Sequence, residues 1–501
     1  MSSDSGYSAQ RSCSVWLNCT HYAGDPAISP SLLSGDEPLN TRGILAFFIL
    51  LLCVSNGCEK TNYDDLIARK KERDEARLNL NQPTVDSASA AKSEPLPKLM
   101  PAAERDSLVE EIENAGGSVV QSKSDNSIAE VNFAKVANGN ELLAKVVDFT
   151  RLKRLSFNGS TLDGESFQTI AKISSLERLE IPDAKLTSES IAAMGKLSKL
   201  KFLQMAGARF PSDAFEQFAK FPALEQLRCT NAGVKADDIS QLKNLKTLRA
   251  LDLTENQIAD SAIENISSLP NLSFLKLWGG QVSDRTLDSV AKMKNLKVLG
   301  LNYTKVSDKG MRKLESLTKL KEIYLFGTSV SDEGMKSLAK IDSLEVMVLR
   351  NTNISDAGIE ALSRLPNLRS LDISETNSPG ITNASAPHFA RMSKLEKVNF
   401  WSTKVGDPIV ESVTGLSTVT WLNIDKTAVT DKSLKMLEAM PQLTWLHCGS
   451  NMNRLTDEGA KSLLKLKKLK YLNISKNKIS EDMFSELKDM ISPGGGEVVW
   501  Y

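Results

Sequence analysis

The sequence predicts an α/β solenoid of about fifteen 24-residue repeats, with a parallel β-sheet lining a concave face and helices covering a convex one. Three observations predict it. A motif LxxLxL recurs at a fixed interval, with units beginning at Ile128, Leu152, Leu176, Leu200, Leu224, Leu248, Leu272, Leu296, Leu320, Leu344 and Leu368. Four further units begin at Leu395, Val419, Leu443 and Leu469, after spacings of 27, 24, 24 and 26 residues. Each unit carries two hydrophobic periods, one suited to a strand and one to a helix. Finally, 501 residues are too many for one ordinary core unless the chain is built from repeats.

Two units show the pattern most clearly: LKVLGLNYTKVSDKGMRKLESLTK (296–319) and LKEIYLFGTSVSDEGMKSLAKIDS (320–343). Positions 4 and 6 are apolar and alternate with variable residues, as Leu299 and Leu301 do, which is strand spacing. Positions 16, 19 and 22 are apolar at three-residue spacing, as in Met311, Leu314 and Leu317, which is one face of a helix. Neither face can be buried within one unit, so units must stack. Between strand and helix lies a TxVSD turn. Val306, Val330 and Ile354 at position 11 are expected to point inward, and Asp308, Asp332 and Asp356 stand where a helix N-cap belongs. Position 9 is often Thr or Asn (Asn256, Thr304, Thr328, Thr352, Thr376, Thr403, Thr427, Asn477), where a short polar side chain is expected to bond the neighbouring turn's backbone. Cys229 and Cys448 both fall at position 6, as small core filler.

The repeats occupy 128–491, and an exposed end of such a stack needs a cap. Residues 103–127 are read as the N-terminal cap, with an amphipathic helix at 104–116 that turns Leu108, Val109 and Ile112 toward the first unit. Residues 492–501 are read as the C-terminal cap: Pro493 and three glycines turn the chain, EVVWY pairs along the last strand, and Trp500 covers the core edge.

Ahead of the repeats, Ile44–Val54 is an unbroken apolar run of eleven residues preceded by Arg42. A membrane-spanning helix needs roughly 20 apolar residues, so this run fits the core of a secretory signal instead. It ends at Ser55-Asn56-Gly57-Cys58, which resembles a bacterial lipoprotein processing site, although Ser55 stands where that site usually has Leu. On this reading 42–58 is the leader and Cys58 the lipidated residue, with an ordinary signal as the alternative. The polar stretch 1–41 is an extension not retained in the mature protein if translation begins at Leu39. Residues 59–102, charged and then rich in Ser, Ala and Pro, have the composition of a flexible tether, with a short solvated helix expected over 64–78.

The remaining composition mainly excludes. Lys+Arg and Asp+Glu are both 62, giving no basic excess for nucleic-acid binding. The six cysteines show no CxxC spacing, and no His accompanies them in a metal-ligand pattern, so neither a disulfide framework nor a zinc site is expected. Only His388 and His447 lie within the repeats, and GxSxG, HExxH and phosphate-loop motifs are absent. No cofactor and no enzymatic activity are expected.

The LxxLxLxxTxVTDxGL unit resembles the leucine-rich repeats of bacterial proteins of the type common in planctomycetes. It is also similar to the repeat half of F-box/leucine-rich-repeat proteins. The resemblance covers the fifteen units, and it implies a horseshoe that binds partners on its concave sheet and carries no catalytic residues. An F-box is a separate helical module, which residues 59–102 do not resemble.

On the concave face, outward strand positions are 3 and 5, with 7 and 8 just beyond. They hold Phe202, Phe274, Trp278, Tyr303, Tyr324, Phe326, Trp401, Trp421, Trp445, His447 and Tyr471, including four of the chain's six tryptophans. Earlier units place Ser156, Gln204, Thr230 and Asp252 there instead. Aromatics of this kind dominate binding hot spots, but they also stabilise a sheet by stacking on one another, and both readings stand. The candidate ligand-binding set is Trp278, Tyr303, Tyr324, Phe326, Arg350, Trp401, Trp421, Trp445 and His447. Asp372, Glu375, Lys397 and Asp425 supply further charge. The expected function is a non-enzymatic module of the cell envelope that binds a protein or a glycan and is held to the membrane by a lipid anchor. Secretion is the alternative location. An intracellular adaptor of the F-box type is the alternative function.

Overall fold

The computed structural model describes residues 99–500, apart from 138, 378 and 453. The leader, Cys58 and the helix expected over 64–78 lie outside the described residues. Fifteen parallel strands, from Ile128–Phe133 to Tyr471–Asn473, each followed by a helix, form one continuous sheet with a further strand at either end. Neighbouring strands pair at identical repeat positions, as in Trp421↔Trp445, Leu422↔Leu446 and Asn423↔His447. The 27-residue unit does not disturb this register, because Ser370 still pairs with Lys397 and Asp372 with Asn399. Its three extra residues are taken up in the turn between Thr376 and Ile381, which remains buried at the inward turn position.

The core is the line of inward residues that the two periods foretell. Leu299 and Leu301 from the strand, Val306 from the turn, and Met311, Leu314 and Leu317 from the helix are all fully buried. Burial of each such side chain contributes about 1.5–3 kcal/mol, and the contribution is shared with both neighbouring units. Cys229 and Cys448 are buried free thiols in the same column, and burial pushes both well above the ordinary thiol range.

At the N-terminal end, a helix Ala102–Asn114 buries Leu108 and Ile112, while Val109 is half-buried. The strand Ser118–Gln121, which periodicity did not reveal, pairs antiparallel with Ile128–Phe133 and closes that edge as a hairpin. At the other end, Glu497–Val499 runs parallel to Tyr471–Asn473. Trp500 stacks on Phe484 at 4.8 Å and donates its indole N–H to the Ile479 carbonyl at 3.2 Å.

The turn departs from the sequence expectation in two ways. First, Asp308, Asp332 and Asp356 are not N-caps: the caps are Ser307, Ser331 and Ser355, and each aspartate is the first helical residue. Its carboxylate reaches forward to the next repeat. Asp308 accepts from Ser331 N at 2.7 Å and Ser331 Oγ at 2.6 Å, and Asp332 accepts from Ser355 N and Oγ at 2.8 and 2.6 Å. The same link runs from Asp284 to Ser307, from Asp356 to Thr382, from Asp407 to Thr430 and from Asp431 to Thr456. Asn383 takes the aspartate's place once, accepting from Gly406 N at 2.7 Å.

This ladder explains the glycine of the SDxG sequence. A Cβ on Gly334 would lie 2.6 Å from Asp308 Oδ1 and one on Gly358 2.6 Å from Asp332 Oδ1, so the preceding carboxylate fills the space a side chain would need. Where the position is not glycine, as at Thr286, Ser385 and Ser433, the hydroxyl donates to that carboxylate instead.

Second, the position 9 threonines bond their own turn. Thr304, Thr328 and Thr352 donate to Leu301, Leu325 and Leu349 carbonyls at 2.7, 2.7 and 2.6 Å. Only the longer asparagines reach the neighbour: Asn256 Nδ2 donates to the Cys229 carbonyl at 2.6 Å, and Asn477 Nδ2 to that of Cys448 at 2.8 Å. At this position the hydroxyl is taken up by the carbonyl of its own turn, whereas the longer amide bonds both its own turn and the neighbouring unit.

Candidate functional site

The outer face of the sheet is built by positions 3 and 5 of each strand, with 7 and 8 at the strand's C-terminal end. Position 8 has a left-handed backbone in every unit from Asp183 to Lys476, where the chain leaves the sheet. Its N–H there donates to the next unit, as Gly327 N does to the Arg350 carbonyl at 3.0 Å. Glycine and asparagine adopt this conformation readily. At Tyr303, with φ 56°, a bulky ring adopts it at a cost on the order of 1 kcal/mol.

Tyr303 is also one of the few exposed large hydrophobic residues among those described, at 40%. Its ring sits between Trp278 and Phe326, with centroids 4.4 Å from each. Room for it comes from Gly327, where a Cβ would lie 2.8 Å from the tyrosine ring. The ridge continues through Arg350, whose guanidinium lies 4.8 Å from both the Phe326 and Trp401 rings and donates through Nε to Glu375 at 2.7 Å. Lys426 lies 5.0 Å from the Trp401 ring. Tyr324, one strand position inward, donates its hydroxyl to Glu322 at 2.6 Å, with Lys276 5.5 Å from its ring.

Trp421, Trp445 and His447 form a second group, at positions 3 and 5 of the later units. Trp445 stacks flat on Tyr471 at 4.0 Å and 8°, and His447 lies 5.9 Å from both tryptophan rings and 4.8 Å from Tyr471. His447 Nδ1 is 3.5 Å from Asp425 Oδ2. The indole N–H of Trp445 is shielded from solvent and has no acceptor among the described residues.

The nine candidate residues therefore fall into two clusters rather than one continuous patch. Trp278, Tyr303, Phe326, Arg350 and Trp401 form a ridge at the strand ends, flanked by Tyr324. Trp421, Trp445 and His447 form a cup deeper on the sheet. Three aromatics read as outward are covered by their neighbours. Phe202 is 5% exposed beneath the Arg178 and Arg228 guanidiniums, Phe274 is 7% exposed, and Tyr471 is 8% exposed against Trp445. Of the charged residues, Asp372 turns back to its own chain and accepts from Ser374 N and Oγ at 3.0 and 2.6 Å.

Sequence reasoning passed over a row of asparagines at position 5. Asn399 and Asn423 each accept a backbone N–H two residues on, from Trp401 at 3.1 Å and Asp425 at 2.9 Å. Their recurrence at one repeat position was the signal available. Among the described residues, no group of acidic, His or Cys side chains is arranged to hold a metal ion, and no helix is long and apolar enough to cross a membrane.

An internalin from Listeria monocytogenes is similar at 22% identity over 72% of this chain and 94% of that one, with a TM-score of 0.45. A leucine-rich-repeat protein of Leptospira interrogans is similar at 18% identity over 73% and 99%, with a TM-score of 0.43. The plant peptide hormone receptor RGFR1 in complex with RGF2 is similar at 17% identity over 67% and 49%, with a TM-score of 0.33. No curated protein matches the sequence. The family model described as a leucine-rich repeat region matches residues 209–490, more than half of the 501. The chain belongs to the leucine-rich-repeat family.

Proposed function

We propose that this chain is a non-enzymatic module that captures a protein partner on the outer face of its sheet, centred on the ridge Trp278–Tyr303–Phe326. The leucine-rich-repeat fold itself is a scaffold for protein interaction. The observation that carries the reading is Tyr303, a large ring left exposed, held in a backbone conformation that disfavours it, and flanked by two further aromatics. Backbone strain kept at an exposed ring motivates a functional reading of this position. Rigid aromatics with a pre-positioned arginine beside them are the side chains that dominate hot spots. Tyr324, Arg350 and Trp401 extend the contact, and Trp421, Trp445 and His447 border it.

Tyr303→Asn separates binding from folding, because Asn231 and Asn351 occupy the same position in other units with the same left-handed backbone. The melting temperature is expected to stay level or rise slightly, while partner capture from envelope extracts falls by about tenfold or more. Equal capture by variant and wild type would refute the ridge as the site.

We further propose that the module works in the cell envelope, tethered by lipid on Cys58. The supporting feature is the apolar run Ile44–Val54 ending at Ser55-Asn56-Gly57-Cys58. Cys58→Ala is expected to move the protein from the membrane to the soluble fraction, with loss of the lipid mass from its N-terminal peptide. A wild-type protein found soluble inside the cell, with residues 1–40 intact, would favour the intracellular adaptor instead.

A further inference from the structure

We infer that the cup around Trp421 and Trp445 is a separate subsite for a neutral oligosaccharide. Asn399 and Asn423 are register partners on adjacent strands, so their side chains stand about 4.8 Å apart along the solenoid. Each Oδ1 is engaged by the backbone N–H two residues on, which fixes the plane of the amide. The Nδ2 groups are left without a protein acceptor among the described residues, and both side chains are half-buried rather than waving in solvent. Two fixed donors one strand apart are pre-organised for acceptors at that separation, and fixing them beforehand lowers the entropic cost of binding.

The groups beside them define the chemistry. Trp421 shares a strand and a face with Asn423, and Trp445 follows it on the next strand. Both are half-buried, so apolar ring surface lies next to the amide donors. Asp425 adds an acceptor: one carboxylate oxygen takes the Gly449 N–H, and the other faces His447 Nδ1 and Asn473 Nδ2, each at 3.5 Å. These contacts are long, so that oxygen retains capacity for a closer donor. A sugar ring offers this combination, with an apolar C–H surface against an indole and a rim of hydroxyls that both donate and accept. An anionic ligand would meet the Asp425 carboxylate. An apolar peptide side chain would leave the amides unpaired on burial, which is unfavourable.

The inference stands apart from the protein-binding ridge, which uses other residues, and its test is separable from that of the ridge. The full chain is titrated with cellohexaose, maltohexaose and the hexamer of N-acetylglucosamine, followed by tryptophan fluorescence and calorimetry. Saturable binding of at least one is expected. Asn399→Asp and Asn423→Asp, made singly, should each weaken it by about tenfold. Aspartate keeps the acceptor that the backbone needs but cannot donate, so it forfeits a bond to a ring or glycosidic oxygen, which can only accept. Asp252 and Asp372 already fill this position elsewhere, accepting from Thr254 N at 3.1 Å and Ser374 N at 3.0 Å, so both variants should fold. Tyr303→Asn should bind the sugar as wild type does. Absence of saturable binding by all three sugars at about 10 mM, or unchanged affinity in both folded aspartate variants, would overturn the subsite.

Discussion

Phe400→Ala is expected to destabilise the solenoid by about 3–5 kcal/mol. Phe400 is fully buried at position 6 of the unit that follows the three-residue insertion. Its ring meets Phe389 edge-on with centroids 5.0 Å apart, and Phe389 comes from the short helix Ala386–Phe389 of the inserted unit. The pair thus fastens the one unit whose turn is lengthened to its regular neighbour. Removing the ring loses its transfer energy and leaves a cavity that a fixed sheet register cannot close. Denaturant unfolding with a tryptophan probe reads the loss directly, since Trp401 and Trp421 are nearby in the chain. A change below about 1 kcal/mol would mean that the insertion is held by its turn alone.

Asp407→Ala should cost about 2–4 kcal/mol and should also blunt the acid sensitivity of the fold. Asp407 accepts from Thr430 N at 3.0 Å, from Thr430 Oγ1 at 2.8 Å and from Ser433 Oγ. Burial raises its pKa, but the bonds from Ser433 and Thr430 together outweigh burial, and the carboxyl is held below its usual value. A depressed carboxylate contributes stability that is present above its unfolded pKa, near 3.9, and is lost as pH falls through the folded value. Asp260 is lowered in the same way, with burial opposed by bonds from Ser283 and Thr286. The melting temperature of the wild type is therefore expected to fall steeply below about pH 4. That of Asp407→Ala should start lower at neutral pH and lose less over the same interval. Parallel pH profiles for the two proteins would mean that this carboxylate contributes nothing to the linkage.

The repeat, the strand and helix periods and the buried columns were all legible in the sequence, because each is a statement about spacing that stacking repeats fifteen times. What one unit's spacing cannot express is a bond to another unit. Asp308 follows Ser307 at a helix start, so it resembles a cap, yet its partner is Ser331, 23 residues away. The glycine at 334 is likewise explained only by a neighbour in another unit, the Asp308 carboxylate. The candidate face was partly legible for a related reason. Outward direction follows from strand alternation, whereas burial of Phe202 and Tyr471 depends on the arginines and tryptophan lying over them. The edge strand Ser118–Gln121 was missed because four residues pairing on one side carry too little alternation to separate from a turn.

Because each carboxylate from Asp260 to Asp332 serves the serine of the unit that follows it, the joints along this run are interchangeable with one another. Asp308 would find the same serine donors on 344–367 that it now finds on 320–343. Gene duplication or loss in steps of 24 codons along this run would thus preserve its joints while changing the length of the stack. The length of this molecule is in that sense a heritable dimension, adjustable to the size of what it holds without any redesign of its interior.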